Sequence, residues 1–130
     1  MYIKDFDKWN EIKKQISSQN SEVHIRAGEV RWVALGVNIG SEMDGKGMSF
    51  TRPALITYVI GARLALVIPM STKLKDVIGY QSFDFQGKAV SLCLHQMRTI
   101  SQNRIFARKG RISDQRLALF RSEVSKFFSL

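Results

Sequence analysis

The sequence contains few of the residues that mark secreted, metal-binding or membrane proteins. Its 130 residues include one cysteine, Cys93, so an internal disulfide cannot form and no cysteine-based zinc site is available. A lone cysteine is typical of proteins in a reducing compartment. No apolar run approaches the length of a membrane span, and the opening stretch MYIKDFDKWNEIKKQ has no signal-peptide core. We therefore expect a cytoplasmic protein, not bound to a membrane, with one folded core.

Acidic residues are also scarce. Lysine and arginine number 20 against 11 aspartates and glutamates, which gives a net charge of +9. The imbalance is strongest from residue 92 to the end, where eight cationic side chains face only Asp114 and Glu123. Such a charge favours a polyanionic partner, either RNA or DNA or an acidic protein, although solubility alone is the simpler alternative.

Apolar periodicity predicts an α+β chain. Apolar residues at three- and four-residue steps predict a helix over residues 2–17, and Ser113 is expected to cap a second, C-terminal amphipathic helix. The basic stretch 99–111 shows no regular pattern. Short strands with long loops between two helices predict a small antiparallel β-barrel. At least five strands are expected, at residues 29–35, 53–60, 63–70, 80–85 and 88–94.

The glycine-rich stretch GSEMDGKGMSFTRPALI has part of the pattern of a nucleotide-binding P-loop. Gly40, Gly45 and Lys46 have the required spacing. However, Gly47 stands where a serine or threonine would hold Mg²⁺, and an apolar strand follows where a helix is needed. A P-loop is therefore excluded.

Within the same stretch, Arg52 is a candidate phosphate ligand. Pro53 follows it, and proline keeps the preceding residue extended, so the guanidinium is held at the beginning of a strand. A fixed guanidinium binds phosphate well. The alternative is an ordinary ion pair with Glu42 or Asp44.

Two further groups lie where predicted strands end. Ser71, Thr72 and Lys73 offer two hydroxyls and an ammonium that either bind phosphate or cap a turn. His95 is placed on the less apolar face of the last strand, as a general acid or base or as an exposed structural histidine. Neither a nucleophile elbow nor a metal-ligand spacing is present, so no metal and no cofactor are expected.

The order of these segments resembles the MazF/PemK-like toxins of type II toxin–antitoxin systems. The matching segments are VRWVALGVNIGSE, the glycine-rich loop, RPALI, LVIPMSTK, HQMRTISQNRI and the final amphipathic helix. The resemblance covers about Gly28 to Phe128, so we expect an N-terminal helical extension over 1–20 and the toxin-like domain over 28–130. It implies an SH3-like barrel, a homodimer, and an acidic antitoxin that covers the RNA groove.

The resemblance also implies an activity. Such toxins cleave single-stranded RNA at short sequences without a metal: the ribose 2′-OH attacks the adjacent phosphate and leaves a 2′,3′-cyclic phosphate and a 5′-OH. Arg52 matches the arginine of the family's Arg-Pro pair and would stabilise the transition state. Ser71, at a position usually held by threonine, and Thr72 would bind the scissile phosphate. Glu42 matches an acidic loop residue that acts as the base or orients it.

The remaining expected RNA contacts are cationic or polar. Gln96 and Arg98 match the family's Q-x-R segment, which lines the groove or supports the dimer, and Lys46 and Lys73 add positive charge. His95 stands where several members have an aspartate that is proposed as the base, and histidine can take that role. The alternative function is a non-catalytic basic barrel that binds nucleic acid or only an acidic protein partner.

Overall fold

The computed structural model describes residues 2–19 and 23–129, and within them two helices and seven strands form. Met1, Asn20 and Leu130, which belong to the expected domain ranges, lie outside the described residues, and the division into an extension and a domain stays a prediction. In chain order the elements are α1 (Phe6–Ser18), β1 (Glu29–Ala34), β2 (Thr51–Ile60), β3 (Leu64–Ser71), β4 (Tyr80–Phe85), β5 (Lys88–Cys93), β6 (Arg98–Ser101), β7 (Ile105–Arg111) and α2 (Asp114–Phe127).

All seven strands belong to one sheet with the order β4-β5-β3-β2-β1-β7, and β6 also pairs with β3. Every pairing is antiparallel. Among the described residues, the outer strands β4 and β7 share no backbone ladder. The turn after β4 reaches β7 through the Gln86 side chain, whose Nε2 donates to the Lys109 carbonyl at 2.8 Å, and the Phe85 ring of β4 lies against Gly110 of β7. The α+β class is therefore confirmed, whereas closure into an SH3-like barrel stays a prediction.

The two faces of the sheet bury different clusters because side chains alternate along each strand. Leu55 of β2 packs with α2 residues such as Phe120 in one cluster. Its neighbours Ala54 and Ile56 point the other way, into a second cluster with β1 and β6. The sheet is therefore covered by apolar clusters on both faces.

Helix α1 is held to the sheet by a third, smaller cluster. Trp9 and Ile16 are buried, and the Trp9 ring meets Phe50 edge-on with centroids 5.8 Å apart. The predicted helix is too long at its beginning: it starts at Phe6 because the Asp5 carboxylate caps it by accepting from the Lys8 amide at 3.0 Å. Among the described residues, no helix is long and apolar enough to cross a bilayer.

Helix α2 forms as predicted. The Ser113 hydroxyl accepts from the Arg116 amide at 3.1 Å and caps its first turn. Leu117, Phe120 and Val124 are buried against the sheet. Here the local signals, a cap followed by an apolar stripe, agree with the tertiary structure.

The stretch 99–111 differs from the expectation, because it contributes to β6 and forms all of β7. β7 pairs with β1 through shifts in register, and its exposed side chains are mostly basic, so no two-residue alternation is visible in the sequence. The buried Glu29 carboxylate of β1 pairs with Arg108 of β7 at 3.6 Å. The contacts that hold β7 come from β1, which is distant in sequence. The sequence of β7 therefore shows no local strand pattern.

The placement of His95 is also corrected. β5 ends at Cys93, and both Ser91 and Cys93 are fully buried, so there is no less apolar face at the end of this strand. Instead, His95 lies in a one-turn 3-10 helix, Leu94–Gln96, where its side chain is exposed. The reason is that β5 is covered on both faces at this end. The small side chains of Ser91 and Cys93 are buried on one face, as Leu92 is on the other.

Candidate active site

Arg52 lies near the beginning of β2 with Pro53 after it, as the Arg-Pro step predicts. Its half-buried side chain is held by two backbone carbonyls: Nε donates to Asp44 O at 2.8 Å, and Nη1 to Met70 O at 3.4 Å. Burial is the largest influence on the pKa of Arg52 and lowers it, while Cys93 and Asp44 raise it. Arginine remains a cation under such conditions.

The alternative of an ordinary ion pair is not what the described residues show. The Asp44 carboxylate pairs with Lys4 at 3.5 Å rather than with Arg52. Glu42 is also occupied, because its Oε1 accepts from the Ile39 amide at 2.9 Å within the loop. Arg52 is thus oriented by carbonyls that leave its charge available for an anion.

Ser71 closes the turn, which is one of the two roles that the sequence left open. It ends β3, is largely buried, and its Oγ accepts from the Lys73 amide at 3.1 Å, which closes a turn. Ser91 strengthens the same turn by donating to the Lys73 carbonyl at 3.0 Å. Ser71 also lines the cavity beside Arg52, together with the exposed Thr72. The turn therefore holds both hydroxyl residues at the cavity wall.

That cavity, which we call the Arg52 cavity, has a volume of about 510 Å³. It brings together four of the predicted residues, Lys46, Arg52, Ser71 and Thr72. Its lining includes four cationic side chains and, among the described residues, no carboxylate. The full lining is Trp32, Lys46, Thr51, Arg52, Pro53, Met70, Ser71, Thr72, Phe85, Gln86, Lys88, Val90 and Lys109.

Three residues of the Arg52 cavity that suit RNA binding were not predicted from the sequence: Trp32, Lys88 and Lys109. Trp32 is the exposed residue of the otherwise buried strand β1, with 37% of its surface accessible, and the Lys109 ammonium lies 5.1 Å from its ring centroid. Lys88 begins β5 at the same cavity. An exposed aromatic ring among cations suits a stacked base beside a phosphate. In the sequence, Trp32 is a tryptophan in a predicted strand, and such residues are usually buried. Only the structure shows that Trp32 is exposed at the cavity.

Four of the five remaining predicted residues line a second cavity of about 560 Å³. Glu42, His95, Gln96 and Arg98 all contribute to it, and Lys73 lines neither cavity. The predicted catalytic set is therefore divided, with Arg52 and Ser71 in one cavity and Glu42 and His95 in the other.

Gln96 links this second cavity to the glycine-rich loop. Its Oε1 accepts from the Met43 amide at 3.0 Å, and its Nε2 donates to the Ser41 carbonyl at 3.1 Å. Both side-chain groups of Gln96 thus hold the loop. This contact explains why a glutamine in the Q-x-R segment is useful even without touching RNA.

His95 is supported by its neighbours in sequence and space. The centroids of the His95 and Tyr80 rings are 5.1 Å apart. The Lys75 ammonium lies 5.4 Å from the centroid of the same Tyr80 ring. A β-carbon at Gly79 would overlap the His95 imidazole, so a glycine is needed there. Nearby, burial raises the pKa of Cys93 to about 11, which makes this thiol a poor nucleophile.

With this geometry in view, comparison with known proteins assigns the family. The profile of the "PemK-like, MazF-like toxin of type II toxin-antitoxin system" matches residues 26–128, and the chain belongs to this family. Among curated proteins, no sequence matches the chain.

Solved structures confirm the fold. MazF from Deinococcus radiodurans is similar at a TM-score of 0.65 and 18% identity, over 84% of this chain and 100% of that chain. Toxin MazF-mt6 from Mycobacterium tuberculosis gives 0.58 and 12%, over 78% and 97%. An endoribonuclease in complex with its cognate antitoxin, from a mycobacterial species, gives 0.58 and 10%, over 82% and 97%. The seven-stranded sheet with two helices is thus a MazF-like fold.

Proposed function

We propose that this protein is a cytoplasmic toxin endoribonuclease that cleaves single-stranded RNA sequence-selectively and without a metal. The observation that supports it most is the Arg52 cavity, where four cations, three hydroxyl residues and an exposed tryptophan line a space without a described carboxylate. RNA brings phosphates that need cations and bases that stack on aromatic rings. Family membership supports the same class of activity.

The reaction forms one bond and breaks another at a single phosphorus atom. The ribose 2′-oxygen bonds to the phosphorus, the bond to the 5′-oxygen breaks, and the products are a 2′,3′-cyclic phosphate and a 5′-OH. One proton leaves the 2′-OH and one is delivered to the 5′-oxygen. Arg52 stabilises the negative charge of the pentacoordinate phosphorus, and Ser71 and Thr72 bind its oxygens.

Proton transfer is assigned to the second cavity. His95 is exposed, whereas the Glu42 carboxylate already accepts a loop amide. We therefore assign the base to His95 and give Glu42 the role of keeping the loop in shape. RNA that crosses from one cavity to the other would contact Lys46, Arg98 and the turn at Lys73.

A homodimer and an acidic antitoxin are part of the same proposal. The net charge of +9 makes an acidic segment a suitable competitor for the groove. A second candidate, a basic protein that binds RNA without cutting it, is favoured by one observation: Glu42 and His95 line a different cavity from Arg52.

The decisive experiment incubates the purified protein with mixed-sequence single-stranded RNA in excess EDTA. We expect discrete cuts with 2′,3′-cyclic phosphate ends, and none with Arg52→Ala. Arg63→Ala is the matched control, since it removes the same charge at the exposed hairpin beyond the other end of β2. Circular dichroism of each variant checks folding. Cutting abolished by EDTA, or unchanged in Arg52→Ala, contradicts the proposal; intact RNA with salt-sensitive binding supports the second candidate.

A further inference from the structure

The segment before α1, residues 2–4, contacts the glycine-rich loop and is here called the N-terminal strap. The Lys4 ammonium donates to Asn38 O at 2.6 Å and to Gly40 O at 2.9 Å. The strap lies outside residues 26–128, which the family profile matches. Its contacts therefore join the loop from outside the matched region.

Both polar side chains of the strap meet at Asp44. The Tyr2 hydroxyl donates to Asp44 Oδ2 at 2.7 Å, and Lys4 pairs with the same oxygen at 3.5 Å. The other oxygen, Oδ1, accepts from the Asn38 amide at 2.7 Å. The hydrogen bond to Asp44 is the largest of the effects that raise the pKa of Tyr2. The carboxylate is thus held at three points.

Asp44 is also the residue that orients Arg52. Its carbonyl accepts from Arg52 Nε at 2.8 Å, the shorter of the two bonds that hold the guanidinium. One residue therefore receives the strap on its side chain and Arg52 on its backbone. A shift of Asp44 moves the guanidinium with it.

Hydrophobic burial does not explain why the strap lies on the loop. Tyr2 is 66% exposed and Ile3 is 78% exposed, so the segment buries little apolar surface. By contrast, α1 is anchored through Trp9 and Ile16, which fixes the point from which the strap leaves the helix. The helix supplies the attachment, and the strap supplies only polar contacts with the loop.

We propose that the N-terminal strap positions the catalytic arginine: Lys4 and Tyr2 hold Asp44, and Asp44 holds the guanidinium in the direction of the RNA phosphate. This inference rests on the proposed ribonuclease function. Lys4 and Tyr2 are positioning residues, since they act through Asp44. Lys4 also pairs with the Asp44 carboxylate, so this carboxylate does not form a competing ion pair with Arg52.

The kinetic test compares Lys4→Ala, Lys4→Arg and the control Lys14→Ala on an RNA oligonucleotide taken from a site cut in the mixed pool. Lys14 is exposed on α1 and matches the loss of charge. We expect Lys4→Ala to lower kcat by about 10- to 100-fold with KM within about twofold, since misplacing a catalytic group by about 1 Å has such an effect. Lys4→Arg restores kcat. An unchanged kcat, or an equal loss in Lys14→Ala, overturns the inference.

A second measurement separates this inference from the ribonuclease proposal. Amide hydrogen exchange of Asn38, Met43 and Gly45 needs no RNA, and each of these amides is bonded within or beside the loop. We expect Lys4→Ala to speed their exchange by about tenfold or more while β2 and β3 keep their protection. Uniformly faster exchange, or no change in the loop, refutes positioning by the strap even where RNA is not cut.

Discussion

Arg52 shows how a single side chain is oriented without losing its charge. Two carbonyls, from Asp44 and Met70, fix the guanidinium, while the nearby Asp44 carboxylate is occupied by Lys4 and Tyr2. An ion pair in the same place would compete with the phosphate. Carbonyl acceptors avoid that competition, because they carry only partial charges.

This arrangement predicts that charge alone does not suffice at position 52. A lysine keeps the charge but replaces the planar fork of donors with a single ammonium, so it cannot bind both carbonyls and a phosphate in the same geometry. We expect Arg52→Lys to reduce kcat/KM by at least about 10²-fold, with little change in thermal stability, as removal of one transition-state donor does. Near-normal cleavage by Arg52→Lys would show that the guanidinium geometry is dispensable.

His95 gives a prediction about the base. A carboxylate is expected to substitute for the imidazole, because both groups can take up a proton, whereas an amide cannot. We expect His95→Asp to keep measurable cleavage with an activity limb shifted to lower pH, and His95→Asn to lose at least about 10²-fold. The pH–rate profiles of the three proteins are compared. Equal activity of His95→Asn and the wild type assigns the base elsewhere.

Among the elements, α1 depends on one glycine of the loop. Gly36 has φ +77°, and a β-carbon there would overlap the indole ring of Trp9. The loop between β1 and β2 and helix α1 therefore pack more closely than any side chain on residue 36 allows. The same contact fixes where the helix, and with it the N-terminal strap, lies.

A pair of alanine substitutions isolates this contact. Gly36→Ala and Gly47→Ala both occupy positive φ, at 77° and 72°, but a β-carbon added at Gly47 would meet no atom within 4 Å. Each substitution costs about 1–2 kcal/mol of backbone strain, and Gly36→Ala adds about 1–3 kcal/mol of overpacking. Urea unfolding followed by tryptophan fluorescence measures the difference. Equal losses of unfolding free energy in the two variants contradict the packing argument.

At the scale of the whole molecule, four of the 20 lysines and arginines lie at the cavity where RNA is expected. Lys46, Lys88 and Lys109 surround Arg52 at one cavity, whereas the lysines of α1 lie on an exposed helix face. Phosphate contacts release counterions, so they appear in the salt dependence of binding. Charges outside the groove have a smaller effect.

The charge distribution predicts unequal effects of two lysines. In an Arg52→Ala background, which we expect to leave RNA intact, Lys109→Gln is expected to weaken binding of single-stranded RNA and to lower the salt slope by about 0.7. Lys14→Gln removes the same charge from α1 and is expected to leave that slope unchanged. Fluorescence anisotropy at several salt concentrations measures both slopes, and identical slopes would place the RNA elsewhere.

Local features of the chain predicted a large part of this structure. The cap at Ser113 with its apolar stripe predicted α2, and the apolar runs at 53–60 and 63–70 predicted strands β2 and β3, because these signals act between near neighbours. The Arg-Pro step likewise placed Arg52 at the beginning of β2. Such features follow from backbone geometry and short-range hydrogen bonds.

Contacts between distant residues decided the rest. β7 exists because β1 pairs with it across more than seventy residues, for example between Glu29 and Arg111, and no local pattern encodes that partner. The same holds for the division of Arg52 and His95 between two cavities, and for the meeting of Tyr2 and Lys4 with Asp44. The sequence alone determines which side chains are cationic, apolar or nucleophilic. Which of them become neighbours depends on contacts between distant segments, and these form only when the complete fold is packed.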